Sequence, residues 1–124
     1  MSESARTLFA TAIGDAEQTA LLLDSSGAPL AGSYIDQNGR DISSEIGAAL
    51  SGVSKEVSRS MRLLSLGAWT AVVIETEAAT IALAPTTQDA VVLLASSSTV
   101  PLGLVRRVLT MSIALAINWM SGRA

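Results

Sequence analysis

The chain has no cysteine and no histidine. Without cysteine it forms no disulfide and offers no thiolate to a metal or an electrophile. Without histidine it lacks the commonest general base near neutral pH and the commonest zinc ligand. Serine–histidine nucleophilic catalysis is therefore excluded. Aromatic residues are scarce, with two Trp, one Tyr and one Phe, so the core has to be built from Leu, Ile, Val and Ala. Charge is thin as well. Only 15% of residues are charged, with 8 basic against 11 acidic side chains and a net charge of −3. A nucleic-acid binder needs a basic stripe to displace counterions, and this chain has none. The phosphate-cradling pattern G-x-x-x-x-G-K-[ST] and the dinucleotide pattern G-x-G-x-x-G are both missing from the sequence.

What is present is apolar. Half of the 124 residues are hydrophobic, a globular composition of one-domain length, so residues 1–124 are expected to form a single domain. The start, MSESARTLFATAIGDAEQ, lacks the basic region and long apolar run of a secretory signal, and the expected location is cytoplasmic. The stretch STVPLGLVRRVLTMSIALAINW looks at first like a membrane span. Its uncharged run, Val108 to Met120, is shorter than the ~20 residues a span requires. A core helix beginning after Pro101 is expected instead, with no membrane insertion.

Periodicity orders the chain. Ala5, Leu8, Phe9, Ala12 and Ile13 predict a helix over Ser4–Ile13, stopped by Gly14. Ala20 to Leu23 is apolar without alternation, the pattern of a strand buried on both faces. Asp24-Ser25-Ser26-Gly27 has the residues of a turn into a second strand, Pro29–Ile35, whose Pro and Gly suit a sheet edge. After the turn Gln37-Asn38-Gly39, Asp41 can cap a helix reaching about Ser65. Its stripe is Ile42, Ile46, Ala49, Leu50, Val53, Val57, Met61 and Leu64. That helix carries a run of small residues, Gly47, Ala48, Ala49, Ser51, Gly52 and Ser54. Two glycines inside a helix cost about 0.5–1 kcal/mol each relative to alanine. Either close packing on the protein's own sheet or a second helix crossing here would account for them. Three further strands are expected at Ala68–Thr76, Ala79–Pro85 and Ala90–Ser96, joined by short turns and hence antiparallel. The last is apolar on both faces, like the first strand of the chain, so these two belong in the middle of the sheet. The strand holding Trp69 and ending in charge suits an edge. A final helix, Leu102 to Met120, closes the order α-β-β-α-β-β-β-α.

Catalytic candidates are few. Ser51 and Lys55 share a helix face, the spacing of a Ser-Lys pair, but a solvated face is much the simpler account. Glu75 and Glu77 would lie about 6–7 Å apart on one side of a strand, beside a turn where solubilising charge is the simpler account. No metal or cofactor is expected, and the chain reads as a binding or scaffolding module, not an enzyme.

Three stretches carry a resemblance: LLLDSSGAPLA, the strand series ending VVLLAS, and LGLVRR at residues 102–107. In their order and spacing they resemble the Roadblock / dynein light chain family, nearest to its bacterial MglB-type members, over about residues 5–120. The resemblance implies a profilin-like, three-layer α-β-α sandwich. Its five-stranded antiparallel sheet has the order 2-1-5-4-3, with the long helix on one face and the first and last helices on the other. It implies a homodimer in which third strands pair edge to edge and middle helices lie side by side. Gly47, Ala48, Ser51, Gly52, Trp69, Thr70 and Ala71 are the expected interface residues. It implies a small Ras-like GTPase as partner, bound through the paired middle helices and stimulated without any catalytic residue being supplied. A scaffold with no effect on hydrolysis is the alternative. Lys55, Ser58, Arg59 and Arg62 are the residues expected to face that partner, whereas Arg106 and Arg107 are expected to be structural or surface charge.

Overall fold

The computed structural model describes residues 1–14, 18–86 and 89–122. Five antiparallel strands form one sheet in the order β2-β1-β5-β4-β3. They are β1 (Gln18–Leu23), β2 (Pro29–Gly32), β3 (Val72–Glu75), β4 (Ala79–Pro85) and β5 (Val91–Ser97). The helices are α1 (Glu3–Arg6), α2 (Ala10–Ile13), α3 (Ser43–Leu63) and α4 (Leu102–Ser121). The two strands without alternation, β1 and β5, pair with each other from Gln18↔Ser96 to Leu23↔Val91, at the centre of the sheet. Their side chains point alternately into two apolar layers. Leu22, Leu94, Val92, Ala82 and Ala84 pack on one face with α4 residues Val105, Val108, Leu109 and Ala116, and with Ala5 and Phe9. Leu21, Leu23, Leu83, Leu93 and Ala95 pack on the other with α3 residues Ile46, Leu50 and Val53. Burying each of these leucines is worth about 1.5–3 kcal/mol, so the double-faced centre supplies most of the apolar stabilisation.

Four expectations are corrected by the structure. The first helix is two short ones. Across Thr7–Phe9 the backbone switches to i→i−3 bonds, Leu8 N–H to Ala5 O and Ala10 N–H to Thr7 O, which turns Phe9 into the core. The second strand ends at Gly32, whose φ of +80° bends the chain away; Ile35 makes only an isolated bridge with Asp41. The third strand begins at Val72, not Ala68, because its ladder with β4 runs only from Val72↔Leu83 to Glu75↔Thr80. Trp69, Thr70 and Ala71 therefore precede the strand. Finally, Ala49 and Leu64 of the α3 stripe are exposed.

By length and composition α4 is apolar enough to cross a membrane. Its Val105, Val108, Leu109, Ser112 and Ala116 face is buried within the fold. Arg106 and Arg107 are exposed.

Two aspartates close the turns that frame α3. Asp24 Oδ1 accepts from Ser26 Oγ at 2.7 Å and from the Ser26 and Ala28 N–H groups at 2.9 Å. Asp41 Oδ1 accepts from the Ser43 hydroxyl and from Ser43 N–H at 2.9 Å. Led by the Ser26 and Ser43 hydroxyls respectively, these bonds hold both carboxyls below the usual aspartate value. A folded-state value below the unfolded one gives stability that is fully present above the unfolded value. It is lost as pH falls through the folded one. Urea unfolding should thus be flat from pH 7 to about 5 and weaken below about 4. Asp24→Asn should shrink that acid loss; an unchanged acid limb would rule the turn out as its source.

Candidate functional site: the outer face of α3 and the β3 edge

The α3 helix is anchored at its start. Ser43 is buried, and its Oγ accepts from Tyr34 N–H at 2.8 Å. One turn on, the small residues divide into two sets. Gly47 is buried, and a Cβ placed there would lie 1.9 Å from the Gly27 carbonyl oxygen and 3.0 Å from Leu23 Cδ2. Gly27, at φ +90°, presses back: its own Cβ would meet Gly47 O at 2.4 Å and Ser51 Cβ at 3.0 Å. Gly47 and Ser51 are thus occupied within the protomer, against the β1–β2 turn. Gly47, expected at a contact with a second copy, is buried here against Gly27 of its own chain. Ala48 and Gly52 point the other way; both are exposed, and nothing lies within 4 Å of a Gly52 Cβ.

Further along, Lys55, Arg59 and Arg62 are exposed and Ser58 is half-buried. Arg59 is committed to Glu56, its Nε donating to Oε2 at 3.2 Å and its Nη2 to Oε1. The pairing, through hydrogen bonding first and charge second, pulls the Glu56 carboxyl down and pushes the Arg59 guanidinium up. Ser58 Oγ accepts from the Trp69 indole Nε1 at 2.8 Å. This bond pins the α3–β3 connection against the helix. Lys55 and Arg62 form no ion pair among the described residues.

Trp69 and Ser58 divide two adjoining hollows, each of about 470 Å³. One is mainly apolar, lined by Met61, Gly67, Ala68 and Trp69 with Arg62 at its edge. The other is more polar and brings Lys55, Ser58 and Arg62 together with Ser25 and Asp89. Three of the four expected partner-facing residues therefore share one groove, and Arg59 is outside it. Ser25 and Asp89 were not foreseen. They come from turns far away in sequence, and nothing local marks them.

The β3 edge adds apolar surface. Val72, Val73 and Ile74 are all half-buried, and β3 has a strand neighbour on one side only. Leu63, Leu64 and Leu66, just ahead of it, are 69%, 63% and 68% exposed. An open strand edge beside bare leucines is a surface suited to association.

The chemical candidates do not gather into a site. The Ser51 hydroxyl donates to the Ala48 carbonyl at 3.2 Å. Glu75 ends β3, Glu77 lies in the turn after it, and both are exposed. Among the described residues no three His, Cys, Asp or Glu side chains cluster as metal ligands.

Comparison with protein-family models finds no match to this sequence, and no curated protein matches it. Solved structures do. A Roadblock/LC7 domain from Streptomyces avermitilis aligns with a TM-score of 0.79 at 13% identity, covering 94% of this chain and 97% of its own. Myxococcus xanthus MglB aligns with a TM-score of 0.79 at 14% identity, covering 97% of each chain. Profilin II from Acanthamoeba castellanii aligns at 0.57 with 17% identity, over 94% of this chain and 98% of its own. With its five strands in the order β2-β1-β5-β4-β3 between α3 on one side and α1, α2 and α4 on the other, the chain has the Roadblock/LC7 fold of the broader profilin-like class.

Proposed function

We propose that this protein is a homodimeric, cytoplasmic regulator of a small Ras-like GTPase, engaging it through α3 of two protomers. In this reading it stimulates GTP hydrolysis by rearranging the GTPase's own groups and supplies no catalytic residue itself. The observation that carries the proposal is the exposed α3 face with its two unpaired cations, beside an open β3 edge, on a fold shared with MglB. The β3 edge and the Leu63–Leu66 region are the surfaces for the second copy. Ala48 and Gly52 are the small positions still free for a crossing helix.

The test uses the small GTPase encoded nearest to this gene. Complex formation is followed by calorimetry with GDP and with a non-hydrolysable GTP analogue, and turnover is recorded in the same mixtures. The expected result is a complex with the GTP form, faster hydrolysis, and at least tenfold weaker binding by Arg62→Glu. Binding with unchanged turnover would make the protein a scaffold. No complex in either nucleotide state would end the GTPase reading.

A further inference from the structure

Lys55 and Arg62 are seven residues apart on α3, so they return to the same helix face about 10.5 Å apart along its axis. Both line the polar hollow. Neither has an acidic partner within ion-pair distance among the described residues, while the neighbouring Arg59 is already matched to Glu56. In a chain of net charge −3, two unmatched cations in one groove stand against the overall balance. The single acidic side chain on the lining, Asp89, leaves the groove net positive. Between the cations, Ser58 accepts from Trp69, which leaves its O–H available to donate. Beyond Arg62 the groove continues into the apolar hollow walled by Met61 and Trp69.

We infer that this groove binds an extended acidic segment of a partner protein: two carboxylates three residues apart, followed by an apolar side chain. The spacing follows from the polyproline II rise. At about 3.1 Å per residue and three residues per turn, positions i and i+3 span about 9 Å on one side of the chain, close to the axial separation of the two cations. A residue one or two positions further on then reaches the apolar hollow. The inference rests on the reading of α3 as the partner-facing helix and names the chemistry that the helix recognises. Charge complementarity at a partly exposed groove sets rate and selectivity, and it is screened by salt.

The probe is the acetylated nonapeptide Gly-Glu-Ser-Ser-Glu-Leu-Leu-Gly-Ser, compared with the same peptide carrying Gln for both Glu. The readout is Trp69 emission in a Trp119→Phe background, at low and high salt. The expected result is saturable binding that weakens at high salt, with the Gln peptide at least tenfold weaker. Lys55→Ala and Arg62→Ala should each weaken binding at least threefold, with Arg107→Ala on α4 as the unchanged control. Equal binding of the two peptides, indifference to both alanine substitutions, or no binding of the Glu peptide at millimolar concentration would overturn the inference. So would phosphatidylserine vesicles taking the place of the peptide with the same Lys55 and Arg62 dependence, which would make the occupant a lipid surface. A change of sedimenting mass in Lys55→Glu/Arg62→Glu without any peptide effect would make it a second copy. Failure of the partner reading is separate. Peptide binding through both cations with no GTPase complex leaves the groove standing. A GTPase complex indifferent to Lys55→Ala and Arg62→Ala removes the groove and keeps the partner.

Discussion

Gly47→Ala should lower the unfolding free energy by about 3 kcal/mol, whereas Gly52→Ala, five residues further along the same helix, should raise it by about 0.5–1 kcal/mol. The substitution and the helix are the same; only the surroundings differ. At Gly47 the new methyl falls 1.9 Å from a backbone oxygen, that of Gly27. A side chain could swing aside, but a carbonyl in a turn at φ +90° can move only with the turn. That turn is further tied by three bonds to Asp24 Oδ1, so relief means breaking them or lifting α3 from the sheet. At Gly52 the methyl meets open space and restricts the unfolded chain at no steric cost. Urea unfolding at several protein concentrations measures both effects. Similar effects of the two substitutions would sink the account of the Gly27–Gly47 contact. A stabilising Gly52→Ala that also weakens self-association would locate Gly52 between protomers.

Ser112→Ala should stabilise the fold by about 1–3 kcal/mol, the cost of a buried hydroxyl left without a partner. The Ser112 side chain is fully buried on α4, and its Oγ has no hydrogen-bond partner among the described residues. It is not isolated in this. Gln18 and Ser96, opposite each other in the β1–β5 ladder, are buried with side-chain atoms that have no partner among the described residues, including both amide atoms of Gln18. Thr80, opposite Ser96 on β4, is buried as well. By strand alternation Gln18, Ser96 and Thr80 share the face of Ala20, Leu94 and Ala82, the layer covered by α4. One end of that layer is therefore a polar row beneath an apolar helix. Ser96→Ala and Ser112→Ala should each raise the thermal midpoint. A fall on Ser112→Ala would mean that ordered water bonds the hydroxyl, since water in such a site is costly to remove.

Much of the architecture was legible in the sequence because burial writes itself into pattern. Runs such as Ala20–Leu23 and Val91–Ala95 have no polar alternation, and only a strand covered on both faces tolerates that. The final helix, set after Pro101, was equally plain. What the sequence hid was decided by contacts between distant residues. Gly47 was compatible with a crossing helix or with the protein's own sheet, and only the approach of Gly27, twenty positions earlier, decides between them. The start of β3 was placed four residues too early, because Ala68–Ala71 have strand-like composition but no partner on β4. The groove was half legible. Lys55, Ser58, Arg59 and Arg62 were expected only from the family resemblance, and the wall that lines three of them up in one groove comes from Trp69, Ser25 and Asp89 on three separate connections.

The bare β3 edge has a consequence inside a cell. Quality-control systems recognise apolar segments and open strands, the marks of a chain that has not finished folding. A lone protomer displays both while fully folded, in Val72–Glu75 and in Leu63, Leu64 and Leu66. If the proposed second copy covers that edge, the unpaired chain is the form such systems would clear, and its lifetime would follow how quickly it pairs.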